Sequence, residues 1–346
     1  VSWLDGADDE LDEQYDEADF RTRPNPKANR PRTKRRPAHA DAHIARVLGV
    51  DRGRYTVLID EDGPDERTTL AVRARELRRQ PIVTGDRARV VGDVSGGEGT
   101  LGRIVGIEPR TTLLRRSADD TDQVERIVVA NADQMVIVVA AADPEPRPRL
   151  VDRYLIAALD AGIHPLLVVT KTDLADPAEF LAHFEGVDDL DVLMSGRGRM
   201  PVDDLGAKLV GHASVFVGHS GVGKSTLVNA LVPTAARATG HVNEVTGRGR
   251  HTSSSTVSLR YLGAEGRGWV IDTPGVRSFG LGHVKPENIL AAFTDLAAVA
   301  EECPRGCTHL PDAPDCAIVE AVADGRLGDR GAARLDSLQR LLSTFA

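Results

Sequence analysis

Residues 218–225 read GHSGVGKS, a Gly-x-x-x-x-Gly-Lys-Ser spacing whose chemistry is phosphate binding. The apolar Val215 to Val217 before it suit a buried strand, and Ser225 to Leu231 suit the start of a helix. The glycines therefore fall at a strand-to-helix turn. There the backbone N–H groups of Gly218, His219, Ser220, Gly221, Val222, Gly223, Lys224, Ser225 and Thr226 converge, with the helix N-terminus, on phosphate oxygens. Lys224 adds positive charge at the β- and γ-phosphates, and the Ser225 hydroxyl is placed to ligate Mg²⁺.

Two further motifs extend this chemistry. Asp272-Thr273-Pro274-Gly275 follows the apolar run Trp269-Val270-Ile271. Asp272 is a candidate for holding Mg²⁺ through water, and the Gly275 N–H for meeting the γ-phosphate. Thr170-Lys171-Thr172-Asp173 follows Pro165 to Val169, again apolar and strand-like. A carboxylate at Asp173 accepts from both N1–H and the exocyclic amine of guanine, whereas adenine offers no such pair of donors. With ATP the carboxylate is left unpaired, at a cost of about 1–3 kcal/mol, so GTP is the expected ligand. Lys171 lays its aliphatic stem over the nucleotide. Thr170 stands where Asn is usual, and its shorter hydroxyl leaves open whether it meets the base or the phosphate loop. Ser195, after Val192-Leu193-Met194, is a candidate for offering its backbone to the guanine O6, with a plain turn as the alternative.

Gly247-Arg248-Gly249-Arg250-His251-Thr252, a Gly-rich basic segment, lies between the phosphate loop and DTPG. Thr252 is the candidate switch threonine that completes the Mg²⁺ shell. Val276 stands where many small GTPases carry a water-positioning Gln, and a valine cannot orient a water by hydrogen bonding. Slow intrinsic hydrolysis, accelerated by a partner, is therefore expected, with His251 the candidate for the missing group. The base reader precedes the phosphate loop and DTPG follows it, so the nucleotide core reads as circularly permuted.

Cys303, Cys307 and Cys316, the chain's three cysteines, fall in one short segment with His309 among them. Three thiolates and one imidazole form a closed tetrahedral set suited to one structural zinc, with no open position for a catalytic water. Disulfides are the competing reading, but an odd thiol count and the lack of a secretory signal oppose it. Helix-forming composition at Pro286 to Ala300, Ala317 to Ala323 and Arg334 to Leu342 surrounds the cluster, with too little apolar material to fold unaided. Zinc binding would then be part of the folding free energy.

The order TKTD, GHSGVGKS, GRHTSSS, DTPG, together with the cysteine cluster, resembles the ribosome small-subunit-dependent GTPase family (RsgA, also called YjeQ or YloQ) over residues 43 to 346. The usual family spacing is C-x₄-C-x-H-x₅-C, and this chain reads C-x₃-C-x-H-x₆-C, with altered loops but every ligand present. The resemblance implies a GTP hydrolase acting late in assembly of the small ribosomal subunit, with ribosome-stimulated hydrolysis coupled to release. It implies an α/β P-loop GTPase core, circularly permuted, between an N-terminal OB-fold β-barrel and a C-terminal helical zinc-binding domain. Expected partners are the small ribosomal subunit and its rRNA, with other assembly factors in addition, and the expected state is a monomer.

The elements that must position these residues divide the chain at 1–42, 43–115, 116–282 and 283–346. Ile44 to Val47, Tyr55 to Ile59, Thr69 to Val72, Ala88 to Val91 and Leu101 to Ile107 are short β-prone runs separated by turn residues, the pattern of a small barrel. Arg73, Arg75, Arg78, Arg79, Arg87 and Arg89 are candidates for RNA phosphates, and with few aromatics among them backbone contacts are expected rather than base stacking. Asp5 to Asp19 is densely acidic and Arg21 to Arg36 densely basic, and neither block can bury a core. Disorder is expected there, with the basic half able to fold on rRNA.

The formal charge of −9 argues against generic nucleic-acid binding only for the chain as a whole, because the charged blocks segregate. No apolar run approaches the roughly 20 residues of a membrane helix, and the acidic opening is not a signal peptide, so no membrane partner and a cytoplasmic location are expected. Two other classes compete. One is a non-catalytic GTP-dependent RNA-binding scaffold, which would show no turnover stimulated by ribosomal subunits. The other is an ATP-dependent P-loop enzyme acting on a small molecule, which would let ATP displace GTP.

Overall fold

The computed structural model describes residues 39–77, 80–116, 126–187, 190–198, 200–233, 256–273, 280–281 and 283–345. Strands β1 (His43–Asp51), β2 (Arg54–Ile59), β3 (Arg67–Arg73), β4 (Arg87–Gly92) and β5 (Gly102–Ile107) occupy the five β-prone runs set off by turn residues. They pair in the order β1-β2-β3-β5-β4 and close through β1–β4, with β3 and β5 parallel. This is a five-stranded Greek-key barrel of OB type. Its interior is filled by Val47, Tyr55, Val57, Ile59, Val90 and Ile104.

A hairpin that the sequence pattern did not signal follows, β6 (Leu113–Arg116) with β7 (Arg126–Ala130). Then come β8 (Gln134–Ala140), α1 (Pro148–Asp160), β9 (His164–Thr170), α2 (Ala178–Ala182), β10 (Asp191–Met194) and α3 (Val202–Leu209). Beyond them lie β11 (Ala213–Val217), α4 (Lys224–Leu231), β12 (Val257–Gly263) and β13 (Gly266–Asp272). Strands β8, β9 and β11 are apolar along nearly their whole length because helices cover both faces of the sheet, as parallel strands require. The strand order is β10-β9-β8-β11-β13-β12, parallel except for the β12–β13 hairpin. Chain direction across the sheet reverses between β8 and β11, since β9 and β10 lie on one side of β8 while β11 and β13 lie on the other. In open α/β sheets the ligand crevice forms at such a switch point, outside the carboxyl ends of the strands.

The tail holds helices Pro286–Ala291, Thr294–Ala300, Ala317–Ala323 and Gly331–Leu342. The helix-forming stretch from Pro286 to Ala300 is divided at Phe293, whose non-helical backbone (φ −99°, ψ 75°) starts the second helix and whose side chain is buried. Ile289, Phe293, Leu296, Ile318 and Leu338 share one core with Leu155 and Ile156 of α1 and Phe180 of α2. The tail therefore completes the apolar layer on one face of the α/β sheet, which answers its shortage of apolar material. Arg340 Nε donates to the buried Asp152 carboxylate of α1 at 3.2 Å, and Asn288 Nδ2 to Asp160 at 2.6 Å. Asp41–Ala346 form one compact unit. Among the described residues no helix is long and apolar enough to cross a membrane.

Candidate nucleotide and metal sites

The phosphate loop leaves β11 and enters α4, as the sequence requires. A side chain at Gly218 would place its Cβ 2.5 Å from the Val138 carbonyl oxygen of β8, so only glycine lets the loop start here. Gly223 sits at φ 89° immediately before α4, a left-handed conformation that lets the chain turn into the helix. Val222 is buried and pins the loop, while Ser220, Gly221, Ser225 and Thr226 are exposed along it. His219 is half-buried, its Nδ1 3.0 Å from the Ser220 carbonyl.

Asp272 ends β13 beside β11, in register with Phe216. Its carboxylate forms an ion pair with the Lys224 ammonium. The next residue, Thr273, is buried and donates its hydroxyl to the Phe216 carbonyl at 2.7 Å, which fixes the end of β13 to the strand that feeds the phosphate loop. The structure thus brings Lys224, Ser225 of the same helical turn, and Asp272 to the carboxyl edge of two neighbouring strands. One hydroxyl, one carboxylate and phosphate oxygens are hard oxygen donors of the kind Mg²⁺ takes.

On the other side of the switch point, β9 ends at Thr170. Its Oγ1 lies 2.6 Å from the Val222 carbonyl and 3.1 Å from the Val139 carbonyl, and the residue is buried. A hydroxyl has one proton, so the shorter contact, to the phosphate loop, is the stronger donor bond. Of the two contacts left open for Thr170, the structure makes the one to the phosphate loop. Asp173 is exposed, and one of its oxygens accepts the Arg197 N–H at 2.8 Å, which orients the carboxylate. Lys171 takes φ 56° and donates its ammonium to the Asp143 carbonyl in the loop after β8. Ser195 is buried; its N–H donates to the Val169 carbonyl and its carbonyl accepts from the Thr172 N–H. With that N–H committed to β9, Ser195 serves as a brace for the TKTD loop.

Sequence reasoning does not give the contacts from Asp143, Arg197 and Thr273. Two act through backbone groups, which leave no signature in residue type, and the third is a hydroxyl inside DTPG to which the motif assigns no part. His251, Thr252, Gly275 and Val276 lie outside the described residues, as do Arg78, Arg79 and the charged segment 1–38.

In the tail, the ligand atoms of Cys303, Cys307, His309 and Cys316 all lie within 4.8 Å of one another. His309 Nδ1 is 3.7 Å from both the Cys303 and Cys316 sulfurs. Ligands about 2.0–2.3 Å from a tetrahedral zinc are about 3.5–3.8 Å apart, so this set fits the ion. No disulfide joins the three thiols. Burial holds the His309 imidazole below its ordinary pKa and so favours the neutral form that a metal requires. Cys316 immediately precedes helix Ala317–Ala323 and is buried against the shared core, so the cluster sits on a formed scaffold.

The barrel carries a groove of about 530 Å³ between β2, β3 and the Gly-rich loop before β5, lined by Arg54, Thr56, Thr68, Leu70, Gly96 and Leu101 among others. By register Arg54, Val72 and Arg103 form one row on the outer face beside it. Arg87 and Arg89 lie instead near carboxylates, 3.6 Å from Glu61 and 3.9 Å from Glu108, which weakens the positive field expected there.

Residues 107–282 match a protein-family model described as RsgA GTPase. A protein named small ribosomal subunit biogenesis GTPase RsgA from Pseudomonas aeruginosa is 41% identical over 275 residues, covering 76% of each chain. One named small ribosomal subunit biogenesis GTPase RsgA 1 from Vibrio vulnificus is 38% identical over 294 residues, covering 82% of this chain and 80% of that one. Among solved structures, YjeQ from Thermotoga maritima superposes with a TM-score of 0.63 at 24% identity, covering 88% of this chain and 98% of that one. YloQ, described as a circularly permuted GTPase, gives 0.60 at 24% identity, covering 90% and 98%. These two show the fold.

Proposed function

The chain belongs to the RsgA GTPase family, and from that premise we propose that it binds the small ribosomal subunit late in assembly, hydrolyses GTP there, and is released by hydrolysis. The observation that carries this reading is the Thr170 hydroxyl on the Val222 carbonyl. It ties the loop that carries Asp173 to the loop that carries Lys224, so a base and a triphosphate can be gripped in one crevice despite the reversed order of the motifs.

Each residue then has a task. Asp173 selects guanine, and Lys171, steadied by the Asp143 carbonyl, covers it. Phosphate-loop N–H groups and Lys224 hold the β- and γ-phosphates, and Ser225 and Asp272 would hold Mg²⁺, which neutralises phosphate charge when bound. On nucleotide binding Lys224 exchanges its Asp272 carboxylate for phosphate oxygens, so the ion pair stores both side chains near their working positions. Thr252 would be a further oxygen ligand of that ion when γ-phosphate is present. His251, beside Thr252 and in place of the Gln that Val276 does not supply, orients the attacking water once the subunit is bound.

We assign one structural zinc to Cys303, Cys307, His309 and Cys316. The barrel groove takes rRNA, with Arg54 near phosphates and Thr56 and Thr68 near ribose hydroxyls. A chain acting on assembling ribosomal subunits in a bacterium works in the cytoplasm.

The test is the rate of GTP hydrolysis against the concentration of purified small subunits. A saturating rise above the basal rate is expected, with ATP failing to compete, and Lys224→Ala should lose nearly all turnover. A rate indifferent to subunits would favour the non-catalytic scaffold. Undiminished turnover in Lys224→Ala would remove the site assignment.

A further inference from the structure

The hairpin β12–β13 stands between the nucleotide crevice and the barrel, and its contacts to the barrel have no place in the chemistry above. At its crevice end Asp272 is in register with Phe216 of β11 on one side and with Val257 of β12 on the other. Val257 is in turn bridged to Gly49 of barrel strand β1. One row of backbone pairs thus runs from the strand that feeds the phosphate loop to the barrel wall. Next to it, the buried Thr84 of the barrel donates its hydroxyl to the Thr256 carbonyl at 3.1 Å. Thr256 adjoins Val257, the register partner of Asp272, so the barrel grips the hairpin at its crevice end.

A second grip lies further along the hairpin. Trp269, three residues before Asp272, donates its indole N–H to Glu61 of the β2–β3 loop at 2.8 Å. Glu61 also accepts from Arg46 of β1 at 3.0 Å. The Arg46 and Arg260 guanidiniums each lie 4.8 Å from the Trp269 ring centroid, within cation–π range. Arg260 and Arg267 of the hairpin meet Asp62 of the same barrel loop at 2.5 and 2.8 Å. A basic hairpin is therefore locked to an acidic loop around a largely buried indole, with Leu58 and Ala213 packed on it.

We propose that Thr84 and Trp269 are positioning residues that couple the nucleotide state to the affinity of the barrel for ribosomal RNA. The argument rests on the reading that the protein releases subunits after hydrolysis. Coupling requires one element whose arrangement both sites bias, and this hairpin carries Asp272 at one end and the barrel along its flank. Nucleotide contact biases Asp272 and with it the β12–β13 hairpin, and the Thr84 and Trp269 contacts carry that geometry into the barrel's orientation. By linkage the same factor that GTP adds to subunit affinity, subunits add to GTP affinity.

The test uses the full-length chain and purified small subunits, with the dissociation constant measured in a non-hydrolysable GTP analogue and again in GDP. The wild-type ratio should be about tenfold or more. Thr84→Val keeps shape and backbone but deletes the hydroxyl, and should reduce the ratio to about threefold or less. Its GDP affinity and basal hydrolysis should stay within about twofold of wild type, and Thr84→Ser should restore the ratio. Trp269→Phe, which removes the indole N–H, should act in the same direction and decides the matter if Thr84→Val does not fold. A wild-type ratio of one would remove the release reading and this proposal together. A high wild-type ratio retained in the folded Thr84→Val and Trp269→Phe variants would remove the proposal alone, as would equal weakening in both nucleotides.

Discussion

Replacing Thr170 by Val isolates the bond on which the shared crevice depends. Valine has nearly the volume of threonine, so packing in the buried site is kept and only the hydroxyl is lost. In the structure that hydroxyl serves Val222 at 2.6 Å and stands 3.1 Å from Val139. The variant leaves the buried Val222 carbonyl without this donor. A buried acceptor stranded in this way costs about 1–3 kcal/mol, which sets the expected loss of folding stability. The part of that bond that pre-shapes the phosphate loop appears as weaker binding, so GTP affinity should fall by at most about 150-fold, the equivalent of 3 kcal/mol. Thermal melting of the nucleotide-free protein and titration with a fluorescent GTP analogue measure the two effects separately. Thr170→Ser keeps the hydroxyl and should stay within about threefold of wild type in affinity. Wild-type stability and wild-type GTP affinity in Thr170→Val would show that the two loops are not joined through this residue.

Asp173→Asn replaces an acceptor by a group that can also donate. GTP affinity should fall by about 5–150-fold, and xanthosine triphosphate, whose ring carries a carbonyl where guanine carries the amine, should bind better than it does to wild type; equal loss for both nucleotides would argue against base reading by Asp173. Prolonged chelation, or Cys307→Ser, should release about one zinc per chain and speed amide exchange first between 301 and 316; Ile289, Phe293 and Leu338 should remain protected, because their core is shared with α1. Burial raises the Tyr154 phenol from its ordinary value near 10 to about 12. Below pH 10 it is neutral whether folded or not, and above pH 10 the unfolded chain ionises first, so stability should fall between pH 10 and 12 by up to about 2.7 kcal/mol. Denaturant melts of Tyr154→Phe should lack that share of the alkaline loss, and an unchanged alkaline limb would contradict it.

Residue type and spacing made much of the molecule legible. The barrel strands follow from short β-prone runs set off by turn residues, and their apolar side chains fill the barrel interior. The β11-to-α4 turn follows from glycines whose absence of Cβ the Val138 carbonyl enforces. The cysteine cluster was legible because all its donors are side chains in one short segment. What stayed hidden was carried by the backbone or by distant partners. Nothing in Asp143 announces that its carbonyl will meet Lys171, and nothing in Ser195 announces that its N–H will be spent on Val169. The tail's apolar shortage was real, yet its resolution in a core shared with α1 and α2 needed the tertiary arrangement. The surroundings of the candidate RNA arginines were hidden for an electrostatic reason: Arg87 and Arg89 are near Glu61 and Glu108, partners 26 and 19 positions away in sequence.

Strand order accounts for where the barrel sits. The hairpin β12–β13 is the last pair of strands of the α/β sheet, with β12 on its outside. An outer strand presents unpaired backbone groups that invite wrong pairing, so it has to be covered. Here β1 meets it at Gly49 and Val257, and the Glu61, Asp62 and Arg260 contacts cover the flank further along. The same hairpin ends in Asp272, and the chain goes on from DTPG to the tail helices. The strand that most needs protection is thus also the one bound to the nucleotide crevice. Covering it with the barrel puts the proposed RNA-binding element in direct register with Asp272, the residue proposed to face phosphate and metal, whereas a barrel attached at β10, the opposite edge, would have four strands between it and β13.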